Sequence, residues 1–317
     1  MKILVCCNSD ILAIPILQQL TQWEILEGIC IPESSKDYLV PIFKHLKLGV
    51  DIFILQKYDW ETQLEQIIID RRIESVWVLT FPYIFSKAII DTYPNKFINF
   101  HFGLLPQYPG SDPIFWQIKN KESYGGITVH YINEQIDGGP VILQKKLPIF
   151  LGETHGMHCQ RIGQLGTRIT NCVIEKLADK DFCPLSLQTS EIVNCKKPDS
   201  KILEVNWGHH TSEDIEFLVN ASNPKYGGVK TRINNIDLFL LEVSPVELNQ
   251  NLKATPGQII HADTLYGLIV FCADHKCIRI NIVKTIEGFL SGMKLFSMGI
   301  KNGQVFENPF SLLKTSN

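Results

Sequence analysis

What this 317-residue chain lacks narrows its chemistry first. Its nine cysteines form no C-x-x-C pair, so no zinc ribbon or dithiol redox centre is written into it. Several of these thiols lie inside apolar runs, where a free thiol behaves as a small hydrophobe. That usage suits a reducing compartment. Neither charge dominates: 30 Lys and Arg against 33 Asp and Glu leave a formal charge of −3. Such a chain has no global positive field for non-specific nucleic-acid binding. No apolar run approaches the roughly 20 residues of a membrane span. The short apolar start, MKILVCC, is followed by no small-residue cleavage site of a secretory leader. A cytoplasmic protein without a membrane partner is expected. Phosphate-binding loops are missing as well, since neither G-x-G-x-x-G nor G-x-x-x-x-G-K-[ST] follows the first strand. There is no G-x-S-x-G nucleophile elbow. His155 and His158 form an H-x-x-H without a carboxylate or cysteine cluster beside it, so no metal is expected.

What is present is an ordinary globular composition, 45% hydrophobic and 20% charged, with enough apolar residues for a real core. Apolar runs at 2–7, 25–32, 50–55, 74–81 and 97–101 read as strands. Helical patterns lie between them, in ILAIPILQQL after the cap residues Asn8-Ser9-Asp10 and at 39–48, 60–73 and 86–94. Such alternation predicts a mostly parallel sheet with helices on its faces. ITVHYI (127–132) and VILQKKLPI (141–149) read as a hairpin whose connection carries the turn residues Asp137-Gly138-Gly139. A long helix is expected over 153–179, then a polar, Pro-containing stretch at 183–201. Beyond it a helix at 211–222, with His209-His210 beside its capping residues, precedes five short strands. The reading is an α/β domain over 1–185, a linker over 186–204 and a small β-rich domain of partial-barrel, OB-like type over 205–310.

The stretch FINFHFGLLPQYPGSDP, residues 97–113, ends a strand on polar side chains. Ligands of parallel α/β sheets bind outside the carboxyl ends of the strands, and Asn99 and His101 lie there. Side chains alternate along a strand, so these two share a face. Asn supplies amide donors, His donates or accepts, and the Asp137 carboxylate takes a proton. Together they suit oxyanion stabilisation and proton transfer during acyl transfer. With no nucleophilic enzyme group in view, the acyl group would pass directly from donor to acceptor. On residue types alone, an N-x-H at a strand end is more often local hydrogen bonding, and an Asp-Gly turn only a turn.

The spacing carries a resemblance. Asn99-Phe100-His101, Gly103-Leu104-Leu105-Pro106, Tyr108, Gly110 and Pro113 resemble the N-x-H-x-S-L-L-P-x-x-x-G signature of folate-dependent formyltransferases. Ile127-Thr128-Val129-His130 and Ile136-Asp137-Gly138-Gly139 look like the two segments that follow it. Residues 1–55 resemble the family's Rossmann-like start. Lys197-Pro198 through Ile202, Trp207 and Thr255-Pro256-Gly257-Gln258 look like the small C-terminal domain of its methionyl-tRNA formyltransferase branch. The resemblance implies 10-formyltetrahydrofolate as formyl donor and a primary amine as acceptor. It assigns Asn99 to the formyl oxygen. His101 would stabilise the oxyanion or relay a proton, and Asp137 would orient His101 and accept the amine's proton. It places Phe81, Pro82, Tyr83, Ile84 and Phe85 along the pterin pocket, and Leu104 and Leu105 beside the folate; the apolar members of both sets also suit a plain core.

Departures from the signature bear on the acceptor. Gly103 stands for the usual Ser, Pro109 for the Arg before the Gly, and Asp112 adds a carboxylate. Pro109, Ser111 and Asp112 are therefore acceptor-side candidates, and the change of charge predicts a cationic amine rather than a phosphate-rich one. The loop after the second strand, CIPESSKDYLVP, lacks the basic insertion of the tRNA-acting branch. Phosphate contacts need Lys or Arg. The C-terminal domain does hold Lys225, Lys230, Arg232 and Lys253, which read as solvated charges. The expected enzyme formylates a small, sugar-nucleotide or carrier-bound amine. Methionyl-tRNA formyltransferase is the alternative, and hydrolysis of the donor a further one. A decayed folate-binding module is disfavoured by the joint presence of Asn99, His101 and Asp137.

Overall fold

The computed structural model describes residues 1–187, 195–248 and 253–309. The chain divides into two compact units. The first comprises Met1–Ile114, Ser123–Ile149 and His158–Lys196; the second, Phe115–Glu122, Phe150–Met157 and Lys197–Asn317. Part of the expected linker, 188–194, lies outside the described residues.

The first unit is built on a seven-stranded sheet of order β3-β2-β1-β4-β5-β6-β7. The strands are β1 (Ile3–Cys7), β2 (Leu26–Pro32), β3 (Asp51–Leu55), β4 (Ser75–Leu79), β5 (Phe97–His101), β6 (Tyr124–Tyr131) and β7 (Val141–Pro148). β1 to β5 pair in parallel, while β5–β6 and β6–β7 are antiparallel. All five residues of both β1 and β4 are buried, as in central strands covered on both faces. The chain order reverses between β1 and β4, which places the crevice at their carboxyl ends.

Helices α1 (Asp10–Gln22), α2 (Lys36–Leu46), α3 (Trp60–Arg71) and α4 (Lys87–Thr92) link the parallel strands. Ser9 caps α1, accepting from Leu12 N–H, and Ser86 caps α4. Pro15 inside α1 has no N–H for the Ile11 carbonyl. That oxygen lies 2.7 Å from where a Cβ on Gly163 would be, and Ile16 lies 2.8 Å from a Cβ on Gly166. Two glycines three residues apart thus let α6 (His155–Ala178) approach α1 closely. Short α5 (Pro113–Lys119) was not foreseen: its proline occupies the first helical position, a known start signal that the PGSDP turn residues masked.

The second unit carries an antiparallel sheet of order β10-β11-β12-β9-β8, with β13 on β12. These strands are β8 (Val229–Ile233), β9 (Ile236–Val246), β10 (Ile259–Asp263), β11 (Gly267–Phe271), β12 (Cys277–Thr285) and β13 (Gly288–Ser291). Helix α7 (Ser212–Ser222) lies against β9, opened by a capping box between Thr211 and Asp214. Buried Trp207 donates its ring N–H to Thr231 Oγ1 at 2.9 Å and packs on Phe306. β13 and the last helix, α8 (Gly292–Ser297), were also unforeseen, being four and six residues long. Among the described residues, no helix is long and apolar enough to cross a membrane.

Candidate active site

β5 delivers two side chains to the crevice end of the sheet, and β6 supplies their opposite numbers. In the antiparallel register Asn99 faces His130, and His101 faces Thr128. Such directly opposed residues have their Cβ atoms about 5 Å apart. Asp137 arrives from the β6–β7 connection with a left-handed backbone, φ 53°. The close approach of that turn requires glycine, since a Cβ on Gly139 would stand 1.7 Å from the Tyr131 carbonyl oxygen.

Asp137 is the hub. Its Oδ1 accepts from Asn99 Nδ2 at 3.2 Å, and its Oδ2 accepts from Gly110 N–H at 2.7 Å. His101 Nδ1 lies 3.5 Å from Oδ2, and His130 Nε2 lies 3.5 Å from Oδ1. The structure therefore brings Asn99, His101 and Asp137 together. It adds His130, a residue that sequence reasoning quoted but gave no role. The signal available was alternation: Thr128 and His130 share one face of β6. Its register against β5 was not readable.

Partner chemistry fixes the protons. A carbonyl oxygen only accepts, so His101 Nε2–H donates to Tyr108 O at 2.6 Å. By the same argument His130 Nδ1–H donates to Tyr131 O at 2.8 Å. The other nitrogen of each ring, His101 Nδ1 and His130 Nε2, faces Asp137. Asn99 Nδ2 supplies one hydrogen to His130 Nε2 at 3.1 Å and the other to Asp137. Both amide hydrogens are thus engaged. The ring of His101 thus lies between the Tyr108 carbonyl and Asp137, the residue expected to orient it.

Burial holds the His101 imidazole below its ordinary value, with the Asp137 charge opposing that shift. Burial alone would raise the Asp137 carboxyl. The His101 charge, the His130 hydrogen bond and the Gly110 N–H outweigh it and hold the group down to about 2. At neutral pH the arrangement sets an ionised carboxylate beside the uncharged imidazole of His101, and the pair can take up a proton at either group.

Gly103 has a steric explanation. A Cβ there would meet His101 Nε2 at 2.8 Å and Pro113 Cβ at 2.7 Å. The glycine makes room for the His101–Tyr108 bond. Behind it, Thr128 Oγ1 donates to Gly103 O at 2.7 Å and accepts from Leu105 N–H at 3.1 Å. Gln144 Nε2 donates to Leu105 O at 2.8 Å. Leu104 and Leu105 are buried in this clamp.

The remaining candidates separate. Phe85 is core, and Phe81 and Tyr83 are half-buried against Trp60, whereas Pro82 and Ile84 face outward. On the acceptor side, Ser111 is exposed, and Pro109 O accepts from Cys195 N–H at 3.1 Å. Asp112 is only 2% exposed, with its N–H on Cys195 O at 2.8 Å. Its carboxylate is therefore no open surface charge, which corrects the expectation that it makes the site entrance negative. Its neighbourhood, with burial acting first, pushes the Cys195 thiol up to about 12. No group of three or more potential ligands is placed to hold a metal among the described residues.

Exchange of His130 for Phe is expected to lower kcat about tenfold, the worth of one hydrogen bond of about 1–1.5 kcal/mol. Because His130 helps to hold the Asp137 carboxyl down, the acid limb of the kcat/KM profile should move to higher pH. His130→Gln, which keeps an acceptor for Asn99, should restore much of kcat. An unmoved acid limb in His130→Phe would show that Asp137 does not depend on this ring.

Residues 47–174 match the model of the formyl transferase family. A methionyl-tRNA formyltransferase of Halothermothrix orenii is 29% identical over 225 residues, which is 70% of this chain and 68% of that protein. The structure of HypX from Aquifex aeolicus, in complex with tetrahydrofolic acid, superposes with a TM-score of 0.65 at 16% identity. That match covers 95% of this chain, which spans about half the length of HypX, 48%. An N-formyltransferase from Helicobacter canadensis, in complex with folinic acid and dTDP-3-aminofucose, gives 0.63 at 17% identity, over 88% of this chain and 98% of that one. The two structures share the fold.

Proposed function

We propose that the chain is a folate-dependent formyltransferase, a reading supported by the match of residues 47–174 to the formyl transferase family and by the methionyl-tRNA formyltransferase relative, and that it transfers the formyl group of 10-formyltetrahydrofolate to a primary amine. The observation that supports this reading is the convergence of Asn99, His101 and Asp137 on one crevice, with Asp137 held ionised. In the proposed reaction the amine nitrogen attacks the formyl carbon and negative charge develops on the formyl oxygen. Asn99 turns an amide hydrogen to that oxygen. Asp137 takes the proton that the amine loses, and His101 Nδ1, beside Oδ2, shares it. The bond from the formyl carbon to N10 breaks as N10 receives that same proton from the Asp137–His101 pair. A formamide and tetrahydrofolate result. Loop 81–85 and Leu104–Leu105 would meet the donor; with 81, 83 and 85 packed inward, the loop offers Pro82, Ile84 and its backbone.

For the acceptor we favour a small, sugar-nucleotide or carrier-bound amine. The turn after β2 carries Glu33 and Asp37, and α1 opens with Asp10, whose carboxylate accepts from Tyr38 Oη–H at 2.7 Å. In the second unit Lys230 and Arg232 are both paired with Asp237, at 2.8 and 2.9 Å. These pairings engage two cations of the second unit, and the turn after β2 offers acids where a phosphate backbone needs Lys or Arg. Methionyl-tRNA formylation is the second reading, favoured by the name of the Halothermothrix relative.

Incubation with 10-formyltetrahydrofolate and a panel of amines, read by product mass, tests the proposal. A formylated amine is the expected product. Formate released without any amine would mean hydrolysis, and an untouched donor would defeat the reading. Binding to tRNA that weakens steeply with salt would favour the second acceptor. A Pro109→Arg variant should shift kcat/KM about tenfold toward an acceptor bearing phosphate, the worth of one surface-assisted ionic hydrogen bond. An unchanged acceptor ranking would remove Pro109 from acceptor choice.

A further inference from the structure

The loop between β4 and α4, residues 80–86, is held by the first turn of α3. Glu61 reaches it with both carboxylate oxygens. Oε1 accepts from Ser86 N–H at 2.6 Å, and Oε2 accepts from Ser86 Oγ–H at 2.8 Å. The same Ser86 Oγ caps α4, accepting from Ile89 N–H at 3.4 Å. One residue earlier, the Trp60 ring gathers three aromatic side chains of the loop. Phe81 lies at 5.6 Å, Tyr83 at 5.5 Å and Phe85 at 4.9 Å between ring centroids. Phe85 continues the stack onto Phe97 of β5, at 4.8 Å, two residues before Asn99.

The spacing of these contacts defines a two-faced loop. Residues 81, 83 and 85 turn toward Trp60. Pro82 and Ile84 turn away, and Ile84 is 75% exposed. At the loop's start Thr80 sits at φ 63°, a left-handed conformation that a β-branched residue rarely adopts. Such strain persists only where surrounding contacts over-determine it. Here the surrounding contacts are the Trp60 stack and the Glu61 fork. Neither belongs to the cluster around Asp137, and both leave Ile84 on the outer side of the loop.

We propose that Trp60 and Glu61 form a latch that holds loop 80–86 in its donor-binding shape, making Glu61 a positioning residue for the folate co-substrate. The inference rests on the reading that this loop meets the donor. Without the latch the loop must be ordered at the moment of binding, so affinity falls while the chemistry, carried by Asn99, His101 and Asp137, does not.

The test is the dissociation constant of tetrahydrofolate itself, measured by calorimetry on the full chain, alongside donor KM and kcat. Glu61→Ala removes both hydrogen bonds and should raise Kd and donor KM about ten- to hundredfold, with kcat within about threefold of the parent. Glu61→Gln offers an oxygen to Ser86 N–H and an N–H to Ser86 Oγ, so it should recover most of the affinity, a rescue that a bulk packing role would not predict. Ile84→Asp tests the donor reading separately. If Ile84→Asp weakens tetrahydrofolate binding and Glu61→Ala does not, the latch is wrong and the donor loop stands. If neither alters Kd, both ideas fall. A Glu61→Ala protein that loses kcat and thermal stability without a change in Kd also overturns the latch. Should Glu61→Ala not fold, Ser86→Ala, which removes the Oε2 partner, carries the same comparison.

Discussion

Replacement of Asp137 by asparagine is expected to lower kcat about 10²- to 10⁴-fold, the range of a positioned proton acceptor. The substitution is isosteric but chemically mismatched. Asp137 Oδ1 accepts from the Asn99 amide, and Oδ2 accepts from Gly110 N–H. Whichever way an asparagine amide turns, its NH2 faces one of these donors. One buried donor is then left unmatched, at about 1–3 kcal/mol. The variant should therefore be less stable as well as slow. Donor Kd is expected to change little, since Asn99 and Gly110, which donate to Asp137, belong neither to loop 80–86 nor to Leu104–Leu105. Full turnover in Asp137→Asn would remove the carboxylate from the chemistry.

The pH dependence follows from the same group. Asp137 is held at about 2 in the folded chain, against an unfolded value near the ordinary carboxylate range. Its contribution is therefore present above the unfolded value and lost as pH falls through roughly 4 to 2. With a nearly buried side chain it amounts to about 2 kcal/mol. His101 acts in the same direction at higher pH. Burial lowers its folded value, so below about 6.5 the unfolded chain takes up a proton that the folded chain resists. Denaturant melts across pH 3–8 should show stability declining on the acid side in two stages. Asp137→Asn should flatten the lower stage.

Asn99→Ala should lower kcat about 10²- to 10³-fold, as loss of one oxyanion donor does elsewhere. Two effects add in this site. The formyl oxygen loses its amide, and His130 Nε2 and Asp137 Oδ1 lose the hydrogen atoms that bridge them. Asn99→Asp separates these effects. It would set two carboxylates near 3.2 Å apart, where like charges resist joint ionisation. Its rate should rise with acidification before it falls, unlike that of Asn99→Ala. Equal turnover for wild type and Asn99→Ala would end the oxyanion assignment.

The fold was legible where one structural level sufficed. FINFH ends at His101 in sequence and in structure, ahead of Gly103 and the Leu-Leu-Pro that break the strand pattern. The buried β1 and β4 announce a parallel sheet through their composition, and Ser9 and Ser86 announce helix starts through their hydroxyls. Short elements such as α5, β13 and α8 escaped, since few residues give no period to read. Asp112 looked like an added surface charge because nothing local reveals that Cys195, more than 80 residues on, hydrogen-bonds to its backbone.

The chain alone determined the alternating architecture, the common face of Asn99 and His101, and the arrival of Asp137 in a glycine-backed turn. These follow from backbone period, side-chain volume and turn chemistry, all local. Tertiary structure decided the rest. The register of β6 against β5 makes His130 a fourth member of the site, and the Tyr108 carbonyl chooses which nitrogen of His101 keeps its proton. A one-residue slip in that register would send His130 to the opposite face, and no stretch of sequence records which register is taken.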